Sequence, residues 1–134
     1  MPQLMTEATL KKVLVIDDSV QTHHAYRIML NRYKCTTITA RNGHEALSHL
    51  MSNSDIDLFI VDMNRPHMSG SKFIRRVREL GSYEHIPTLL ISSSGIDPDA
   101  GEALAFAQGN LTKPFTSTEL HAAIGKLIQQ AAQS

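Results

Sequence analysis

The sequence predicts an α/β domain: a doubly wound five-stranded parallel sheet of strand order 2-1-3-4-5, with five helices on its two faces. Three observations carry that expectation. Short apolar or β-rich runs alternate five times with helical patterns along the 134 residues. Runs one, three and four are continuously apolar, as strands buried on both faces should be. Runs two and five are more polar or shorter, as edge strands should be.

Each element follows in order. Val13-Leu14-Val15-Ile16 is the first strand and stops at Asp17-Asp18. Ser19 is a helix cap, and Ala25, Ile28, Met29 and Arg32 then lie at helical spacing, with Arg32 at the polar end of that face. Cys35 to Ala40 is rich in β-formers with polar alternation and gives the second strand. Asn42-Gly43 marks a turn before the stripe Ala46, Leu47, Leu50, Met51. Leu58-Phe59-Ile60-Val61 is the third strand and ends at Asp62. A loop through Pro66 and Gly70 leads to the stripe Phe73, Ile74, Val77, Leu80. Thr88-Leu89-Leu90-Ile91, entered from Pro87, is the fourth strand. A weak, Ala-rich helix over Asp99 to Ala107 carries Gly101, which costs a helix interior about 1 kcal/mol against alanine. This helix and the preceding loop, Ser93 to Pro98, are expected to be the most mobile part of the fold. Asn110-Leu111-Thr112 is a short fifth strand. In the last helix Leu120, Ala123, Ile124, Leu127 and Ile128 follow the spacing of one buried face.

Composition narrows the function. Thirteen basic and 13 acidic residues give a formal net charge of zero, so nucleic acid and anionic membrane are not expected partners. No apolar stretch reaches transmembrane length, and Met1 to Thr9 lacks the pattern of a signal peptide. The hydrophobic fraction of 42% supports one core, so one domain is expected over residues 10–130, with short tails at 1–9 and 131–134. The single cysteine, Cys35, suits a reducing cytoplasm. The seven histidines show no zinc spacing and read as solvated surface side chains.

The strand order makes strands one and three neighbours, so Asp17, Asp18 and Asp62 meet at the topological switch point. Three carboxylates at adjacent strand ends repel one another and stay ionised together only around a cation. An oxygen-rich, half-open site of this kind suits magnesium better than zinc. Ser92 ends strand four and Lys113 ends strand five on the same edge. A nucleophilic carboxylate, a metal-binding acidic pair, a hydroxyl and an ammonium together form a phosphoryl-transfer site. Each residue has a plainer reading: Asp-Asp as a helix cap, Asp62 as a turn residue, Lys113 as a surface charge. Their coincidence at four strand ends favours the site.

The motifs V-L-V-I-D-D-S at 13–19, D-L-F-I-V-D-M-N-R-P-H-M-S-G at 57–70, P-T-L-L-I-S-S at 87–93 and T-K-P-F at 112–115 resemble those of the response-regulator receiver family. The resemblance runs from Lys11 to about Leu127 and rests on all four fragments in order. It implies that Asp62 is the phosphoacceptor. It implies that Asp17, Asp18, Asp62 and the main-chain carbonyl of Asn64 hold Mg2+ or Mn2+. It makes Ser92 the switch hydroxyl and Lys113 the contact to the phosphoryl group, with a cis bond between Lys113 and Pro114. The expected donor is a histidine kinase or histidine phosphotransfer protein, and the output is altered binding to a protein target, by a monomer or weak dimer.

Two positions depart from the family pattern. Asn110 stands where receivers usually carry the aromatic that turns inward with the switch hydroxyl, and Phe106, one turn earlier, is the nearest substitute. Arg65 replaces a hydrophobic residue before Pro66. Ser93 is small, which leaves Asp62 open to a phosphohistidine, and Asn64 and Ser94 flank the site where they tune water access. A haloacid-dehalogenase-type hydrolase would need D-x-D after strand one, where this chain has a contiguous pair followed by Ser19. A flavin carrier would need a hydroxyl- or glycine-rich phosphate loop where D-D-S-V-Q-T-H-H is acidic. The remaining alternative is a receiver-like interaction module whose output depends little on phosphorylation.

Overall fold

The computed structural model describes residues 10–63, 70–83, 85–92 and 107–133. Five strands, β1 (Lys12–Ile16), β2 (Thr36–Ala40), β3 (Leu58–Asp62), β4 (Thr88–Ser92) and β5 (Gly109–Thr112), form one parallel sheet of order β2-β1-β3-β4-β5. Among the described residues there are four α-helices, not five: α1 (Val20–Leu30), α2 (Gly43–Ser52), α3 (Gly70–Leu80) and α4 (Ser117–Gln133). Residues 99–106 of the helix expected over 99–107, and the comparison of its mobility with the rest, lie outside the described residues; Ala107 is described and is not helical. The last helix continues to Gln133, past the point at which a tail was expected.

Strand periodicity divides the core. Leu14, Ile16, Phe59, Val61 and Leu90 face α2 and α3, where Phe73 meets Phe59 edge-on with ring centroids 5.3 Å apart. Val13, Val15, Leu58, Ile60, Leu89 and Ile91 face α1 and α4. β3 is buried along its whole length, whereas β5 alternates between half-buried and exposed residues. The helix starts are built from local side-chain bonds. The Ser19 hydroxyl accepts from the N–H of Thr22 at 3.2 Å, and Asn42 Oδ1 accepts from the N–H of Glu45 at 2.9 Å. Thr116 and Glu119 exchange bonds of 3.1 and 3.0 Å in a capping box at α4. Gly81 ends α3 at φ +73°, in the left-handed region that glycine adopts most readily.

One expected helix face is corrected. On α1 the buried residues are His23, Tyr26 and Leu30, while Ala25 is exposed and Ile28 is 63% exposed. The aliphatic residues gave the wrong stripe because an imidazole and a phenol fill the inward positions at helical spacing. The expectation that every histidine is a solvated surface group fails at His23 for the same reason, since it is 4% exposed. Met51 and Leu80, expected at the ends of their helical stripes, are exposed, although Leu50 beside Met51 is buried.

Candidate phosphoryl-transfer site

Parallel pairing brings the C-terminal ends of β1, β3, β4 and β5 to one edge of the sheet. Main-chain bonds tie those ends together. The Asp17 N–H donates to Ala40 O at 2.9 Å, the Met63 N–H to Ile91 O at 2.9 Å, and the Lys113 N–H to Ser92 O at 2.7 Å. Asp62 is the last residue of β3 and Ser92 the last of β4.

Asp17, Asp62 and Lys113 converge there. Asp17 and Asp62 are buried, at 3% and 5% exposure, which is costly for two carboxyls unless a cation stands between them. The Lys113 ammonium supplies part of that charge. Its Nζ donates to Asp62 Oδ2 at 2.6 Å and lies 3.6 Å from Asp17 Oδ2. Burial pushes the Asp17 carboxyl up to about 6, and the neighbouring Asp62 carboxyl adds to this. The N–H of Ser19, 2.9 Å from Asp17 Oδ1, and the charge of Lys113 pull the other way. Partial burial works against the Lys113 ammonium. Its bond to Asp62 and the charges of both carboxylates outweigh that, so its pKa is raised.

Asp18 is exposed, with its side chain outside this buried pair. Among the described residues no three His, Cys, Asp or Glu side chains group as a ready metal cage. The donor set nevertheless fits magnesium, which takes one or two carboxylates and keeps several waters. Asp17 Oδ2 is buried without a hydrogen-bond partner, an orphaned oxygen of the kind a cation satisfies.

Ser92 is half-buried at the same edge. The Lys113–Pro114 peptide is cis, and Pro114 itself is exposed. Asn110 is exposed on β5. Asn64, Arg65, Ser93, Ser94 and Phe106 lie outside the described residues.

Sequence reasoning missed two residues at this edge. His23 bonds the main chain of Asp17. Tyr26 is 1% exposed with an unpartnered hydroxyl, and burial together with the charges of Asp17 and Asp62 raises its pKa. Its ring lies 6.1 Å from that of Phe115. Tyr26 lines a groove of about 420 Å³ between α1 and the Lys113-Pro114-Phe115 turn. The signal that would have found both is the 3-4 spacing of His23, Tyr26 and Leu30, read without restricting the inward face to aliphatic residues.

Comparison with known proteins identifies a family with this fold. A family model described as the response regulator receiver domain matches residues 13–125. A chemotaxis protein CheY homolog of Campylobacter jejuni is 32% identical over 107 residues, covering 78% of this chain and 82% of that protein. The sensor histidine kinase TmoS of Ectopseudomonas mendocina is 30% identical over 129 residues, which is 96% of this chain and 13% of the kinase. Among solved structures, the Vibrio cholerae chemotaxis protein CheY4 superposes with a TM-score of 0.77 at 30% identity, over 88% of this chain and 98% of that one.

Proposed function

The chain belongs to the response-regulator receiver domain family of two-component signalling, and from that premise we propose that Asp62 accepts a phosphoryl group from a phosphohistidine donor. An Asp62 carboxylate oxygen attacks the phosphorus, the nitrogen–phosphorus bond of the donor breaks, and the departing imidazole takes up a proton. The observation that carries this is the Lys113 ammonium, held 2.6 Å from Asp62 beside the buried Asp17. A cation fixed there before reaction neutralises charge on the incoming phosphoryl oxygens without reorganisation. Ser92, at the end of β4, donates to one of those oxygens. Asp17, Asp18, Asp62 and the carbonyl of Asn64 would hold Mg2+ or Mn2+, which would supply further neutralisation of phosphoryl charge. The groove beside Lys113 leaves room for a side chain of a histidine kinase or histidine phosphotransfer protein.

The protein in this reading is a phosphoacceptor that assists its own phosphorylation and dephosphorylation rather than an enzyme that turns over a substrate. Its output is altered binding to a protein target, and a cytoplasmic setting fits. Among the described residues no helix is long and apolar enough to cross a membrane. Incubation with a small acyl phosphate and Mg2+ adds one phosphoryl mass to the wild type. The gain is absent with chelator and absent in Asp62→Asn. A gain that survives in Asp62→Asn contradicts the assignment.

Asn110 favours a second reading, in which partner binding depends little on phosphorylation. It is exposed on β5 where receivers usually carry the switch aromatic. Equal partner affinity with and without a phosphoryl mimic supports that reading and rejects the coupled one.

A further inference from the structure

His23 is a buried histidine on α1 that the phosphoryl-transfer constellation does not use. Its Nε2 lies 2.5 Å from the main-chain oxygen of Asp17 and 3.2 Å from that of Ala40. Carbonyl oxygens only accept, so Nε2 carries the hydrogen and donates to both.

The β1–β2 ladder explains why a donor stands there. Its bonds begin with Thr36 N–H to Lys11 O and end with Asp17 N–H to Ala40 O. Bonds between parallel strands recur at even spacing, so the next donor, facing Asp17 O, belongs to residue 42. But β2 ends at Ala40, and Asn42 has turned away to cap α2. The imidazole N–H takes the place of the missing rung. A buried carbonyl needs a partner. Here the partner also holds the peptide plane that joins Asp17 to Asp18, and one peptide further on the Ser19 N–H reaches back to Asp17 Oδ1 at 2.9 Å.

We propose that His23 is a positioning residue for the acidic pocket, its Nε2–H fixing the Asp17 main chain so that Asp17 Oδ2 stays beside Asp62 and ready for a divalent cation. The inference rests on the reading of this pocket as a magnesium site.

Mn2+ binding to the full chain, with free Mn2+ counted by electron paramagnetic resonance well below the melting transition, tests it without any phosphorylation assay. The wild type binds one Mn2+, and Asp17→Asn abolishes this. His23→Phe keeps the ring but removes the donor, and it weakens binding about 10-fold, as loss of an outer-shell partner does. His23→Gln places an amide N–H at about the reach of Nε2 and binds close to wild type. His23→Asn carries the same group on a shorter stem and binds as weakly as His23→Phe. Should His23→Phe not fold, the Gln–Asn pair decides alone: tighter binding by Gln supports the inference, and equal binding overturns it. Wild-type binding with all three variants unchanged overturns the role of His23 and leaves the magnesium site standing. A wild type that binds no Mn2+ overturns both.

Discussion

Asp17 carries an electrostatic strain that makes its own test. Its carboxyl is pushed up to about 6 from the ordinary aspartate value of about 4, first by burial and then by Asp62. Between those values the folded metal-free protein holds a proton that the unfolded chain has released. The contribution of Asp17 to stability therefore falls as pH rises from about 4 to about 6, and the loss is complete above that window. A shift of this size corresponds to on the order of 2–3 kcal/mol. A bound divalent cation favours the ionised carboxylate and flattens the profile. Urea denaturation across pH 4–8, with and without Mg2+, checks this. The fall is read as the difference between the wild type and Asp17→Asn, and no difference in pH slope between the two metal-free proteins contradicts the burial-driven shift. Asp17, Asp62 and Lys113 were legible because a strand ends immediately before or at each of them and the topology sends those ends to one edge. The inward placement of His23 was legible in the spacing of His23, Tyr26 and Leu30, but its bond to the Asp17 main chain was not. Its role depends on where β2 stops, and nothing in an isolated histidine announces that.

Helix legibility followed side-chain type. In α4 the inward face is all aliphatic at Leu120, Ile124, Leu127 and Ile128, and periodicity found it. Ile124 is fully buried against the β1, β3 and β4 face, so Ile124→Ala lowers stability by roughly 2–5 kcal/mol, the range for truncating a large aliphatic in a packed core. The same change at Ile28, 63% exposed on α1, stays within about 0.5 kcal/mol. Chemical denaturation of the two variants distinguishes them, and equal losses would return Ile28 to the core. In α1 only Leu30 among the aliphatic residues is buried, whereas Val20 and Ile28 are exposed. The other buried side chains there are an imidazole that donates to carbonyls and a phenol against Phe115.

At the scale of the molecule, strand order was readable because the central strands β1, β3 and β4 carry unbroken apolar runs and the edges do not. The order then fixes the site, since β1 and β3 are adjacent and their acidic ends meet. Local hydrophobicity could not give the precise start of β5. Gly109 opens that strand, and a Cβ there would meet Leu127 Cδ2 at 3.2 Å, so the position is set by the close approach of α4. The exposed Asn110 separates two questions that the fold joins: whether Asp62 is phosphorylated, and whether β5 responds.

The first is settled most directly by locating the phosphoryl group. After reaction with a small acyl phosphate and Mg2+, borohydride reduction converts the phosphorylated aspartate to homoserine, and peptide mass spectrometry finds it in the chain. Homoserine at position 62, with Asp17 and Asp18 unchanged, is the predicted result. Homoserine at position 17 or 18, or at no aspartate although the chain has gained a phosphoryl mass, would contradict the account.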